Sequence, residues 1–106
     1  MSDPAAARSA PVLEHALLQV RPGREDEFAA AFAQARELIA ASEGFLFVEV
    51  RRCLEQPSLF LLLVGWTSVE AHEQGFRGSE RYEEWRRLLH HFYDPFPVVQ
   101  HFAPVI

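Results

Sequence analysis

The side chains best suited to proton-transfer chemistry in this 106-residue sequence are its five histidines, because imidazole titrates close to neutral pH. His72 stands with Val69 and Phe76 at helical spacing, so the three share one face and the imidazole points inward. Two readings of it are open: a general base that removes an acidic O–H proton, or a buried histidine tied to a structural partner. Trp66 precedes that helix, so its indole either lines the same cavity with one N–H to donate or packs in the core. His15 shares a strand face with Leu13 and Leu17, and His101 shares one with Val99. Each either reaches the cavity or an interface between copies, or is structural. His90 and His91 are adjacent, project about 100° apart on a helix, and lack the i, i+4 spacing with which two imidazoles grip one metal.

The rest of the inventory excludes more than it supports. With one cysteine, Cys53, and no His-x-x-x-His pair, no metal site is expected. Cys53 has no motif that would make it a nucleophile and reads as a small buried residue. No GxGxxG, P-loop or GxSxG pattern is present, so neither a nucleotide cofactor nor serine hydrolysis is expected. A net charge of -5 without any Lys/Arg block argues against nucleic acid as a partner. The longest apolar run, Leu59 to Val64, is too short to span a bilayer, and MSDPAAARSA lacks the apolar core of a signal peptide. The expectation is therefore a cytoplasmic protein with no membrane partner. Residues 1–10 read as a flexible tail, and residues 11–106 as one domain whose 49% hydrophobic content supplies a core.

The elements that must position these residues follow from periodicity. VLEHALLQV, ending at Arg21-Pro22-Gly23, predicts a first strand. From Gly23 to Ser42, Phe28, Phe32, Ala35, Leu38 and Ile39 recur at helical spacing, with Glu25, Asp26 and Glu27 in the first turn where the helix dipole favours anions. Residues 44–54 and 58–66 flank Glu55-Gln56-Pro57 and predict an antiparallel hairpin. The run Leu59 to Val64 leaves neither face of its strand polar, so both need cover. Helices can cover one face; a second copy of the chain is the economical cover for the other. Thr67 and Glu70 have capping-box spacing for a short helix ending near Arg77. Ser79 can cap another, striped by Tyr82, Trp85, Leu89 and Phe92, and stopping at Asp94-Pro95. Residues 96–105 predict a fourth strand, which Pro97 and Pro104 confine to a sheet edge or to exchange with a partner.

The resulting order, βαββααβ, is a ferredoxin-like α+β layout with a four-stranded antiparallel sheet. On VRPGREDEF, the ASEGF step into strand two, LLLVGW followed by TSVEAH, and RYEEWRRLL closing on PVVQHF, residues 12–105 resemble the antibiotic biosynthesis monooxygenase domain family. The resemblance implies a homodimer in which two protomers form a dimeric α+β barrel. It also implies a pocket between sheet and helices, where some members oxygenate phenolic or quinol-like substrates with O2 and no metal or flavin. Quinone-forming members use an asparagine, a tryptophan, a tyrosine and an arginine. The tryptophan corresponds to Trp66, the arginine to Arg86, the tyrosine to His72 and the asparagine to Leu62. Two match. Histidine can replace tyrosine as a proton acceptor, whereas Leu62 cannot supply the hydrogen bond expected of asparagine. In the haem-degrading branch the tryptophan and iron-ligating histidine would correspond to Phe76 and Trp85, which leaves iron without an axial ligand.

The resulting expectation is a cofactor-independent monooxygenase acting on a small aromatic phenol, quinol or enolisable polyketide-like compound. His72 is the expected base, Trp66 and Arg86 orient and stabilise the anion, and Phe76, Tyr82, Leu62, His15 and His101 line the pocket. Arg86 has a second reading, as part of a solvated helix face. Two other classes stay open: a non-catalytic small-molecule-binding or stress-associated dimer, and a cofactor-free isomerase or lyase that shuttles protons in the same pocket.

Overall fold

The computed structural model describes residues 10–106. The tail expected over residues 1–10 lies outside them except for Ala10, which is buried. In chain order come β1 (Val12–Gln19), α1 (Glu25–Ala40), β2 (Phe45–Arg52), β3 (Leu59–Trp66), a π-helix (Ala71–Phe76), α2 (Glu80–Leu89), a 3-10 turn (His90–Phe92) and β4 (Gln100–Phe102). The strands form one antiparallel sheet in the order β2-β3-β1-β4. This is the ferredoxin-like α+β layout expected.

Strand alternation sorts the side chains into two layers. On β1, Glu14, Ala16 and Leu18 are buried, as is Val20 just beyond it, and on β3 so are Phe60, Leu62, Val64 and Trp66. Against them pack Phe28, Phe32, Ala35 and Ile39 of α1 with Trp85 and Leu89 of α2. Phe28 joins the layers, its ring 5.0 Å from Phe60 and 6.0 Å from Phe92. Each such ring, taken from water, contributes roughly 1.5–3 kcal/mol. The opposite phase, with Leu13, His15 and Leu17 on β1 and Leu59, Leu61 and Leu63 on β3, forms the open face of the sheet. Leu17 and Phe102 are about half exposed there, at 47% and 48%.

Three details differ from expectation. The Thr67–Glu70 capping box is replaced by Ser68, whose Oγ accepts the Ala71 N–H at 3.1 Å. Phe92 lies in the 3-10 turn beyond α2. The fourth strand shrinks to Gln100–Phe102, paired only with β1, because Pro97 and Pro104 offer no N–H to a ladder.

Two glycines have positive φ, Gly23 at 88° and Gly44 at 87°. Gly44 carries a second constraint, because an added Cβ would lie 2.6 Å from both Ala71 Cβ and Thr67 Oγ1. Gly23 faces open space. Gly23→Ala should therefore cost about 1 kcal/mol from backbone strain alone, and Gly44→Ala about 2–4 kcal/mol. Urea unfolding of the two variants checks the order; equal losses would contradict the close packing of strand β2 onto the π-helix.

Candidate functional site

Glu14 is the one acidic residue in the helix-facing phase of β1. Its side chain is only 6% exposed, and its Oε1 accepts the Trp66 indole N–H at 2.9 Å. The same oxygen lies 3.3 Å from His72 Nε2, and His72 Nδ1 lies 2.8 Å from His101 Nε2. Trp66 stacks on His72, ring centroids 5.2 Å apart and planes 19° from parallel. One buried line thus runs from Trp66 through Glu14 and His72 to His101.

The local sequence explains each position. Glu14 and His101 are direct cross-strand partners, so their side chains lie on the same face. Trp66 ends β3 in the buried phase. His72 is the second residue of the π-helix, where the Arg77 N–H donates to the His72 carbonyl at 2.9 Å, an i to i+5 bond. On an α-helix a residue five positions on would stand about 140° around the axis. The wider turn narrows that angle and brings Arg77 to the His72 side.

A partly open cavity of about 40 Å³ lies between sheet and helices, with Glu14, Leu62, His72, Phe76, Arg77 and Tyr82 in its wall. It has room for water, whereas a cavity of about 150 Å³ is needed to admit benzene. Phe96, Pro97 and Val99, from the irregular segment before β4, close one side, and Phe96 is 55% exposed. Enlargement for an aromatic ring therefore requires movement of side chains or of that segment, which carries no sheet pairing.

Burial sets the electrostatics. Desolvation raises the Glu14 carboxyl from 4.5 to about 7, against the opposing Trp66 hydrogen bond and Arg77 charge. Desolvation, with the charges of His101 and Arg77, lowers His72 from 6.5 to about 3. At neutral pH His72 is therefore neutral, and the Glu14 carboxyl lies close to its own titration point. The Tyr93 hydroxyl, which also borders the cavity, is pushed up by burial.

Of the residues singled out in the sequence, His72, Phe76, Tyr82 and Leu62 line this cavity, and Trp66 and His101 stand behind it on the Glu14–His72 line. Two lie elsewhere. Arg86 points to solvent, its side chain 54% exposed and 3.3 Å from Glu83, because position 86 falls on the outer face of α2. His15 lies on the open face of the sheet, edge-on to Phe102 at 5.6 Å, because it is out of phase with Glu14. The expectation missed Glu14 and Arg77. A glutamate in register with Ala16, Leu18 and Val20 was the available signal for the first; the π-turn that delivers the second has no sequence signature.

Among the described residues no group of three or more His, Cys, Asp or Glu is placed to hold a metal ion, and no helix is long and apolar enough to cross a membrane. Comparison with known proteins places the architecture. A family model described as antibiotic biosynthesis monooxygenase matches residues 11–88. The uncharacterised protein YczJ of Bacillus subtilis (strain 168) is 46% identical over 94 residues, 89% of this chain and 99% of YczJ. The crystal structure of a Bordetella bronchiseptica protein described as an antibiotic biosynthesis monooxygenase superposes with a TM-score of 0.87 at 36% identity, covering 92% of this chain and 100% of that one. SnoaB, a cofactor-independent oxygenase from Streptomyces nogalater, superposes at 0.80 with 16% identity over 92% of this chain and 96% of its own, a likeness of fold alone.

The paired shifts fix a pH signature. Between about pH 4.5 and 7 the folded chain keeps the Glu14 proton that the unfolded chain has lost, so this group's contribution to stability falls as pH rises. Between about pH 6.5 and 3 the unfolded chain takes up a His72 proton that the folded chain refuses, so that contribution falls as pH drops. In the overlap the two slopes oppose each other and nearly cancel. Glu14→Gln removes one of them: relative to wild type, the variant should lose about 2–3 kcal/mol between pH 6.5 and 4.5. Urea unfolding at the two pH values checks this; parallel behaviour of both proteins would contradict a protonated Glu14.

Proposed function

We propose that this chain, which belongs to the antibiotic biosynthesis monooxygenase family, is a cofactor-independent oxygenase that uses O2 on a small aromatic phenol, quinol or enolisable polyketide-like compound. The observation that carries the reading is the buried Glu14–His72 pair in an aromatic-walled cavity, with its carboxyl held near neutral pKa. A base matched to neutral pH is what removal of a weakly acidic O–H proton requires. The resulting anion is electron-rich enough to react with O2. For a phenol the balance closes without a reductant: phenol and O2 become quinone and water, one oxygen atom in each product.

Roles follow from placement. Glu14 accepts the substrate proton, His72 and Trp66 fix the carboxyl, and Phe76 and Tyr82, edge-on to each other at 5.5 Å, form apolar wall for the ring. Arg77, whose guanidinium lies 5.5 Å from the Tyr82 ring centroid at the cavity wall, stabilises the anion, a part that the solvent-facing Arg86 is too far out to play. Leu62 limits the polar contacts from β3 and favours an apolar ring edge there. The same proton chemistry without O2 would make an isomerase; the buried relay supports that second reading equally.

The chain acts as a homodimer on this reading, the open apolar face with Leu13, Leu61, Leu63 and Phe102 packing on its equivalent. A cytoplasmic site of action is in keeping with its single cysteine.

Two predictions test the proposal. A panel of phenols, quinols and anthrone-like compounds should include one that drives O2 uptake by metal-free protein. Glu14→Gln or His72→Ala should lower the rate about 10²–10⁴-fold, while Arg86→Gln leaves it unchanged. Solvent deuterium entering substrate under anaerobic conditions, with no O2 uptake, would favour the isomerase; neither signal from a folded protein would leave a binding role. Separately, Leu63→Glu should yield monomer or unfolded chain, because a partner sheet cannot cover an unpaired carboxylate. Wild-type protein that is monomeric by light scattering at micromolar concentration would overturn the dimer.

A further inference from the structure

The base of the proposed reaction is almost wholly buried, and a bound substrate would cover the part of its cavity that is open, so a proton accepted while the substrate is in place needs a route out through the protein. Glu14 and His72 line the cavity; His101 does not, and it is half-buried on β4, the edge strand. The three are spaced at 3.3 Å and 2.8 Å, and each step joins a group able to give a proton to one able to take it. The geometry points to His101 as the outlet of a proton relay that runs from Glu14 through His72 to the sheet edge.

The steps balance as three hops. The proton taken on Oε2 comes to the His72 side when the carboxyl turns about its Cγ–Cδ bond, and the three transfers then occur together: the carboxyl proton moves to His72 Nε2, the His72 Nδ1 proton to His101 Nε2 and the His101 Nδ1 proton to water, so that neither imidazole becomes doubly protonated. One proton leaves the chain, both imidazoles end neutral, and each has exchanged tautomer. A relay of this kind needs an imidazole that is neutral throughout, and burial keeps His72 so. The other groups facing the line are Arg77 from the π-helix, Tyr82 and His90 from the α2 side, Tyr93 beyond the 3-10 turn, and Trp66 of β3. Arg77 favours ionised Glu14, which is the receptive state, and Trp66 occupies Oε1 alongside His72. Oε2 makes no hydrogen bond among the described residues and is the atom left for the substrate proton. His101 acts through His72, as a positioning and relay residue.

This inference rests on the reading of Glu14 as the base, and its test needs no substrate, so the two can fail separately. Protein labelled with 15N-histidine is titrated between pH 5 and 9 and the ring nitrogens of His72 and His101 are followed by long-range 1H–15N correlation. Expected is one concerted step with the Glu14 midpoint, in which His72 moves its proton from Nδ1 to Nε2 while His101 moves its own from Nδ1 to Nε2. In Glu14→Gln that step should vanish. A fixed His72 tautomer across the Glu14 titration, or a His101 that keeps its tautomer while His72 switches, would overturn the relay. If Glu14→Gln does not fold, the wild-type titration alone decides between these outcomes.

Discussion

The structure turns on one carboxyl buried in the helix-facing layer of the sheet. A glutamate at that depth is costly to ionise, and the surroundings meet the cost with few partners: one indole N–H, one imidazole and one distant guanidinium. Each partner comes from a different element. The end of β3 supplies Trp66, the π-helix supplies His72 and Arg77, and β4 supplies His101 through its pairing with β1. The site is thus assembled by tertiary contacts, and β1 is its frame.

The π-helix follows from the same constraint. His72 must meet Glu14 below it while Phe76 packs on Trp66 and Trp85 and Arg77 reaches the cavity wall. A regular α-helix would carry Arg77, five positions after His72, away from that side. The looser turn keeps His72 and Phe76 buried and still brings the exposed Arg77 to the cavity wall, at the expense of weaker backbone geometry in a segment of six residues. Gly44 supports this arrangement from the other side, since its missing side chain lets Ala71 and Thr67 approach the start of β2.

Elements were legible in the sequence because their signals are local. Apolar spacing locates α1 and α2, the Glu55-Gln56-Pro57 break locates the hairpin, and the uninterrupted apolar run of β3 marks a strand that needs cover on both faces. His72 was legible as an inward residue because Val69 and Phe76 mark its face. Glu14 is hard to single out because His15, one residue along, is the more conspicuous proton-transfer group and lies on the opposite side of the sheet. Strand phase decided between them, and a shift of one position reverses it. Arg86 was chosen by correspondence along the chain, where α2 geometry turns it outward. Arg77 depended on a backbone closure that residue types do not announce. The narrow fourth strand was half legible: its prolines marked an edge but not its length.

The absence of an amide at Leu62 takes on a different meaning beside Glu14. Leu62 pairs with Ala16 across the ladder, two residues along β1 from Glu14, and both Leu62 and Glu14 face the cavity. A carboxylic acid that has just taken a proton is itself a hydrogen-bond donor in an apolar site, which is the service an amide would give to a substrate oxyanion or a peroxide. On the proposed reading, polarity has moved from β3 to β1, and one group alternates between acceptor and donor within a cycle. That alternation works only if the carboxyl is reset each time, which ties the chemistry in the cavity to a path for the proton out of it.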